Sequence, residues 1–138
     1  MDRIRARGKA TLSLVAARGV EVVGHILFTP VTIESGGGVT EALGLGPMAV
    51  LPSHQRRGLG SVLVRSGLEE CRQAGHGCVV VVGHPGYYPR FGFAPARARG
   101  VVWEHPVPDE AFMLLELRPG ALGGRGGIAR YAREFGSP

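Results

Sequence analysis

The segment PMAVLPSHQRRGLGS, residues 47–61, joins a short apolar strand to a helix through a polar loop that contains two glycines. Glycine has no Cβ, so an anionic ligand can approach the backbone there, and the unpaired N–H groups of a first helical turn can donate to its oxygens. The segment therefore predicts a phosphate-binding loop at a helix N-terminus. Leu63 stands where a dinucleotide-binding fingerprint has its third glycine, which argues against a dinucleotide fold.

The residues before this loop are typical of three consecutive antiparallel strands. Thr11–Ala17 and Glu21–Glu34 alternate as strands do and are separated by a short turn, and Val39–Val50 is a third extended segment, interrupted by glycines and Pro47. Pro30 within the second strand predicts a bulge or a position at a sheet edge, because proline has no N–H to donate.

After the loop the hydrophobic period becomes helical. From Gly58 to Ala74 the apolar residues lie on one side of a helical wheel, and Gly75 supplies a stop. Cys78–Val82 is a continuous apolar run, typical of a strand buried on both faces, and Glu110–Leu117 is a further amphipathic strand. We therefore predict an α/β fold: a mixed sheet of antiparallel N-terminal strands followed by a βαβ unit with a right-handed crossover.

Composition limits the function. The 138 residues fit one domain, and 16 basic against 11 acidic residues leave a charge of +5, which favours an anionic partner. Lys9 is the only lysine, and its neighbours exclude a P-loop. Cys71 and Cys78 belong to no ligand cluster, so we expect two buried reduced thiols and no metal site. No apolar run reaches the length of a membrane span, and we expect a cytoplasmic protein without a membrane partner.

On Gln55, Gly58 and Gly60 the chain resembles the GNAT superfamily of N-acetyltransferases, whose pyrophosphate loop reads [QR]-x-x-G-x-[GA]. The segment YPRFGF, residues 88–93, matches the family pattern Tyr-x-x-x-Gly-Phe that follows the loop. The chain is also similar to a bacterial subgroup with the segments GHPxYYPRFGF and PDEAFMxLELxPGAL, which occur here at residues 83–93 and 108–122. The resemblance thus covers nearly the whole chain, and it implies that residues 1–138 form one acetyl-CoA-binding domain.

This resemblance implies an acetyl-CoA-dependent N-acetyltransferase in which an amine attacks the thioester directly and one parallel strand pair splays to admit the cosubstrate. It places Tyr88 at the general acid, which protonates the leaving thiolate. Packing of Tyr88 beside Phe91 and Phe93 is the structural alternative. The remaining site residues bind the cosubstrate: backbone N–H groups of the strand at the acetyl carbonyl and the loop at the phosphates, namely Met48, Ala49, Val50, Gln55, Arg56, Arg57, Gly58, Leu59, Gly60 and Ser61.

The general base and the acceptor are less defined. His25, Glu34 and Glu41 lie on the predicted strands that border the acceptor cleft, although each is also compatible with a purely structural role, and a water chain is the alternative base. Trp103 is compatible with a place in the acceptor pocket or in the core. The acceptor is an amine of a small molecule or a peptide, and a homodimer is left open.

The N-terminus departs from the family pattern. In the family a strand and two helices, roughly forty residues, precede the segment that begins here near Leu12, and Met1–Arg3 is similar to the end of the second helix. Because those helices form one wall of the family's acceptor site, a non-catalytic acyl-CoA-binding module is the alternative function. A nucleic-acid-binding protein is a weaker one, since the glycine–arginine tract at residues 123–127 lacks interleaved aromatic residues.

Overall fold

The computed structural model describes residues 2–6, 12–18, 21–50, 58–124 and 126–131, which form a mixed β-sheet with an α-helix against one face. The strands are β1 (Asp2–Ala6), β2 (Leu12–Arg18), β3 (Glu21–Ser35), β4 (Gly38–Val50), β5 (Cys78–Val82), β6 (Ala94–Pro95), β7 (Val101–Trp103), β8 (Phe112–Glu116) and β9 (Gly127–Tyr131), and helix α1 spans Leu59–Gln73. In the sheet they follow the order β1-β2-β3-β4-β5-β8-β6, and β9 pairs with both β3 and β7.

Four antiparallel strands, one more than predicted, open the chain. β2, β3 and β4 form the expected meander, and β1 pairs with β2 from Asp2↔Arg18 to Ala6↔Leu14. The expectation that the first residues end a helix is therefore wrong for Asp2 and Arg3. In the strand conformation their backbone groups extend the ladder along β2, which would otherwise present an unpaired edge.

Pro30 occupies a position in β3 where its missing N–H is tolerated. On one side β3 pairs with β4, including Pro30↔Leu43. On the other side its pairing with β2 ends at Phe28, and its pairing with β9 begins at Val31. Among the described residues Pro30 thus lies between the two ladders on that side, in a strand that is interior to the sheet.

In the ladder between β3 and β4 a bulge lies on β4. Met48 pairs with Ile26 and Leu45 with Phe28, so Gly46 and Pro47 together oppose the single residue Leu27. Gly46 has φ +132°, a backbone conformation that favours glycine. The parallel pairing of β4 with β5 consists of Leu43↔Val79 and Gly44↔Val80 and ends just before the bulge. The splayed parallel pair is therefore confirmed.

Helix α1 covers one face of the sheet with an apolar stripe at helical spacing. Its buried residues are Leu59, Leu63, Val64, Gly67, Leu68 and Cys71. Gly67 permits an unusually close approach, because a Cβ there would lie 2.4 Å from the ring of Phe28, which is itself fully buried. The helix ends as predicted at a glycine with positive φ, Gly75.

Strand β5 is buried on both faces, as predicted. Val79 and Val81 pack into the core beneath α1, whereas Cys78 and Val80 pack into a second core formed with β7, β8, β9 and the 3₁₀ helix Ala96–Arg99. Both cysteines are buried and reduced, and burial raises the pKa of the Cys71 thiol to about 12. Among the described helices, none combines the length and the apolar character needed to cross a membrane.

Candidate functional site

A cavity of about 580 Å³ lies beside the part of β4 that continues after its pairing with β5 has ended. It separates the end of β4 from the start of α1 and from the turn before the 3₁₀ helix Tyr88–Phe91. The cavity is lined by Met48, Ala49, Val50, Gly58, Gly60, Ser61, Tyr87 and Arg90. Six of these eight residues were predicted from the sequence, on two separate segments that the fold brings together.

The start of α1 supplies hydrogen-bond donors to this cavity. Gly58 is the N-cap residue, in the left-handed conformation with φ +77°, and its carbonyl accepts the N–H of Val62 at 3.0 Å. A glycine cap has no side chain to occupy the first N–H groups, and the first turn carries no acidic residue. These N–H groups and the helix dipole together favour an anion at this end of the helix.

The two glycines of the loop serve different purposes. A Cβ at Gly58 would meet no described atom within 4 Å, so glycine is favoured there by the left-handed backbone. A Cβ at Gly60 would lie 3.4 Å from the Tyr87 hydroxyl and 3.8 Å from Cε of Met48. At Gly60 the missing side chain therefore keeps the cavity open.

Tyr87, which the sequence did not predict as a site residue, lines the cavity from the start of the 3₁₀ helix Tyr88–Phe91. Its hydroxyl group forms a hydrogen bond of 3.1 Å with that of Ser61, in the first turn of α1. The ring makes edge contacts with Tyr88 and Phe91, at centroid distances of 5.1 and 5.2 Å. The family pattern points to the second tyrosine of the pair, so only the adjacency of two tyrosines in the sequence hinted at Tyr87.

Tyr88, the predicted general acid, is buried beside the cavity and is not among its lining residues. Its ring packs edge-on against Phe93 at 5.8 Å and lies directly over Gly83. Burial, and to a lesser extent Tyr87, raises the pKa of the Tyr88 phenol. The phenol therefore keeps its proton at neutral pH.

Arg90 is the second lining residue that sequence reasoning missed. Its Nε donates to the carbonyl oxygen of Tyr87 at 2.9 Å, and its Cζ lies 4.6 Å from the centroid of the Tyr87 ring. The same proline-containing 3₁₀ helix that follows Tyr87 brings Arg90 back over this ring. An arginine two residues after the tyrosine pair was the available signal.

The other predicted cosubstrate residues are placed differently. Leu59 is buried in the core under α1, so its side chain faces the sheet and only its backbone can face a ligand. Gln55, Arg56 and Arg57 lie outside the described residues.

The three candidate bases are separated by the fold. Glu34 pairs with Arg130 at 3.4 Å, and Glu41 lines a different cavity, of about 390 Å³, beside His76 and Arg118. His25 is the candidate nearest the site, because it pairs directly with Ala49 across β3 and β4.

Trp103 lies in the second core rather than in the main cavity. Its ring is 5.4 Å from that of Phe112, and it lines a small pocket of about 150 Å³ together with His105. Over the described residues, no three His, Cys, Asp or Glu side chains cluster in a way that would hold a metal ion.

Comparison with known proteins agrees with this geometry. Residues 2–96 match the family model for an acetyltransferase (GNAT) domain. The chain is 41% identical over 103 residues to the uncharacterized N-acetyltransferase YjhQ of Escherichia coli K12, covering 74% of this chain and 57% of that protein. It is 33% identical over 133 residues to the uncharacterized N-acetyltransferase YhbS of the same strain, covering 96% and 78%.

Two solved structures are similar throughout the fold. The GNAT family N-acetyltransferase YhbS from E. coli, in complex with CoA, superposes with a TM-score of 0.83 at 33% identity, covering 91% of this chain and 69% of that one. A GNAT family acetyltransferase from Brucella melitensis, in complex with acetyl-CoA, gives 0.70 at 38% identity, covering 91% and 68%. These ligands are consistent with acetyl-CoA as the cosubstrate. By its sequence, its splayed sheet and its glycine-opened helix, the chain belongs to the GNAT family of acetyltransferases.

Proposed function

We propose that this chain transfers the acetyl group of acetyl-CoA to a primary amine of a small molecule or a peptide. The observation that carries the proposal is the cavity itself, which is lined by the part of β4 beyond its pairing with β5, by the first turn of α1 and by Tyr87, with Tyr88 buried beside it. When bound, acetyl-CoA supplies an activated thioester, and the chain must bind its phosphates, orient its carbonyl and provide a proton.

Phosphate binding is the role of the loop and the helix start. Gly60 leaves the space that a phosphate needs, and the N–H groups of the first turn provide donors at the positive end of the helix dipole. The hydroxyl of Ser61 adds a donor on the same turn. The positive net charge of the chain assists the approach of a polyanionic cosubstrate.

The carbonyl is oriented by β4. The described pairing of β4 with β5 ends at Gly44, so β5 does not occupy the backbone groups of Met48 and Ala49 that face that side, and these groups serve the ligand. Backbone donors aimed at an oxygen that gains negative charge lower the barrier for attack. A rigid strand is well suited to this role, because its dipoles need not reorganise during the reaction.

The proton comes from the tyrosine pair. We assign the general acid to Tyr88, whose raised pKa keeps the phenol protonated at neutral pH. Tyr87 is the alternative donor, supported by the position of its hydroxyl in the cavity wall. On the acceptor side, the pairing of His25 with Ala49 makes His25 the strongest candidate to remove a proton from the incoming ammonium group.

The test combines binding with turnover. We expect acetyl-CoA at one hundred times its dissociation constant to stabilise the chain by about 2.7 kcal/mol, measured as a rise in melting temperature. Release of free CoA thiol should then be followed with a panel of amines that includes polyamines, aminoglycosides and peptides.

The possible outcomes separate the two functions. Turnover of any amine supports transfer, and binding without turnover across the panel supports a non-catalytic acyl-CoA-binding module. If millimolar acetyl-CoA in low salt leaves the melting temperature unchanged, both functions are excluded for this chain.

A further inference from the structure

Arg90 and the glycine loop line the same cavity. A ligand seated there on the helix start, at Gly58, Gly60 and Ser61, can therefore contact both the N–H groups of α1 and this guanidinium. Arg90 is part of a 3₁₀ helix, whereas the glycines open an α-helix about thirty residues earlier. The arrangement places a cation and a set of backbone donors on two walls of one cavity.

The guanidinium of Arg90 is held in position by Tyr87. Its Nε donates to the Tyr87 carbonyl oxygen at 2.9 Å, and its Cζ lies over the Tyr87 ring, 4.6 Å from the centroid. Tyr87 is fixed in turn by the 3.1 Å hydrogen bond to Ser61 and by edge contacts with Tyr88 and Phe91. A chain of three contacts thus ties the guanidinium to the first turn of α1, which lowers the conformational entropy lost when it binds a ligand.

The charge of Arg90 is not neutralised within the described part of the chain. Four other arginines each pair with a carboxylate there: Arg72, Arg97, Arg99 and Arg130. Arg90 has no carboxylate partner among the described residues, and none of the described lining residues of the cavity is acidic. The hydrogen bond of Arg90 uses Nε, and its two Nη groups have no hydrogen bond to a described residue. A guanidinium fixed in this way matches the geometry of a phosphate, which it can bind with two parallel hydrogen bonds.

We propose that Arg90 is a phosphate-binding residue for CoA, held over the helix start by Tyr87. The inference rests on the proposed function only through its first step, the binding of CoA. CoA carries a diphosphate and a 3′-phosphate, and either can meet a guanidinium in this position. The chemistry is the same, and the choice of ligand distinguishes the two sources.

The test is calorimetric titration of CoA and of dephospho-CoA into the parent chain and into Arg90→Gln. We expect Arg90→Gln to weaken CoA binding at least tenfold, with unchanged circular dichroism and melting temperature in the free state. A loss for both ligands assigns Arg90 to the diphosphate, and a loss for CoA alone assigns it to the 3′-phosphate. Arg90→Lys should recover part of the loss, because it restores the charge without the planar fork.

Arg65→Gln is the matched control. Arg65 also lies over an aromatic ring, with Cζ 5.1 Å from the centroid of Phe91, and its loss lowers the net charge by the same amount, but it does not line the cavity. It should bind CoA within twofold of the parent. Equal affinities of Arg90→Gln and the parent, or equal losses in both variants, overturn the inference while leaving the proposed function standing. A parent chain that does not bind CoA overturns both.

Discussion

Tyr88 lies so close to Gly83 that a Cβ on residue 83 would come within 2.4 Å of Cε2 of the tyrosine ring. Gly83 follows directly after β5. The ring of Phe93 also packs against the Tyr88 ring, with 5.8 Å between the two centroids. The ring position is therefore fixed by packing and does not depend on the hydroxyl. This separation of ring from hydroxyl makes the catalytic assignment testable without disturbing the fold.

Tyr88→Phe should lower kcat by roughly 10²-fold, the typical contribution of a general acid, while CoA affinity and melting temperature stay near those of the parent. The effect should be greatest at neutral pH, where the buried phenol of the parent holds its proton. Steady-state kinetics with an amine from the panel measures it. Tyr87→Phe is the companion variant. Should Tyr88→Phe stay within twofold of the parent while Tyr87→Phe loses activity, the proton donor is Tyr87.

Gly60→Val should abolish CoA binding with little change in helix content. Its side chain would enter the cavity between the Tyr87 hydroxyl and Met48, where a Cβ alone already lies at 3.4 and 3.8 Å. Calorimetry and circular dichroism measure the two effects. Gly58→Ala is the comparison, because its methyl group meets no described atom within 4 Å and its cost, about 1–2 kcal/mol, comes from the left-handed backbone. Retained affinity in Gly60→Val would place the anion elsewhere.

Gly67→Ala should destabilise the fold by up to about 2 kcal/mol, although alanine is the better helix former. The gain in helix propensity is about 1 kcal/mol, and overpacking of a core typically costs 1–3 kcal/mol. Here the added methyl group would meet the fully buried ring of Phe28. Urea denaturation of Gly67→Ala, Phe28→Leu and the double variant forms a cycle. The double variant should lose less stability than the sum of the single ones, and strict additivity would contradict the contact.

Glu116→Gln should destabilise the chain by about 1–2 kcal/mol at pH 7. Glu116 accepts the N–H of Leu122 and a hydrogen bond from Arg99, both at 2.9 Å, and these partners, the N–H first, hold its pKa below 4.5. A carboxyl with a lowered folded pKa contributes stability that is present above its unfolded pKa and is lost as pH falls through its folded pKa. The difference from the parent should therefore shrink below pH 4.5.

Asp109→Asn is the control for this carboxylate. Its ion pair with Arg97 is exposed, since 61% of the Asp109 side chain and 67% of the Arg97 side chain are accessible to solvent. Exposed ion pairs contribute little to the free energy of unfolding. Denaturant midpoints measured between pH 3 and 7 compare the two variants. An equal loss in both, or a Glu116→Gln deficit that does not depend on pH, would show that the pairing of Glu116 with Leu122 and Arg99 is not the source.

The sequence was most informative where hydrophobic period and glycine position act locally. The apolar stripe of α1, the stop at Gly75 and the double-sided burial of Cys78–Val82 depend on residues close in sequence, and each was predictable. The position of Pro30 between the ladders with β2 and β9 was not predictable. It depends on β9, which pairs with β3 but lies about a hundred residues later in the chain. Likewise β1 required knowledge of which strand has a free edge.

The site shows the same division. The glycines of the loop were predictable from residue type alone. Few other residues adopt the left-handed backbone of Gly58, and any side chain at Gly60 would fill part of the cavity. Tyr87 and Arg90 line the cavity because of side-chain packing that hydrophobic periodicity does not predict. The Tyr87 hydroxyl bonds Ser61, 26 residues away in the sequence, and Arg90 packs over the Tyr87 ring. The segment that holds Gln55, Arg56 and Arg57 lies outside the described residues, so their roles stay predictions.

The short ladder between β4 and β5 gives the sheet an edge in its interior. Unpaired edges at the rim of a sheet recruit other chains, and proteins commonly block them with charges, prolines or bulges. Here the described β4–β5 pairing ends at Gly44 and Val80, inside the sheet, and a cavity beside the start of α1 follows along β4. We expect a slender, amide-bearing molecule to enter this cavity and to pair with β4 as a substitute strand. An interruption of strand pairing would promote aggregation at the rim of a sheet. In the interior, the same interruption selects ligands by their shape.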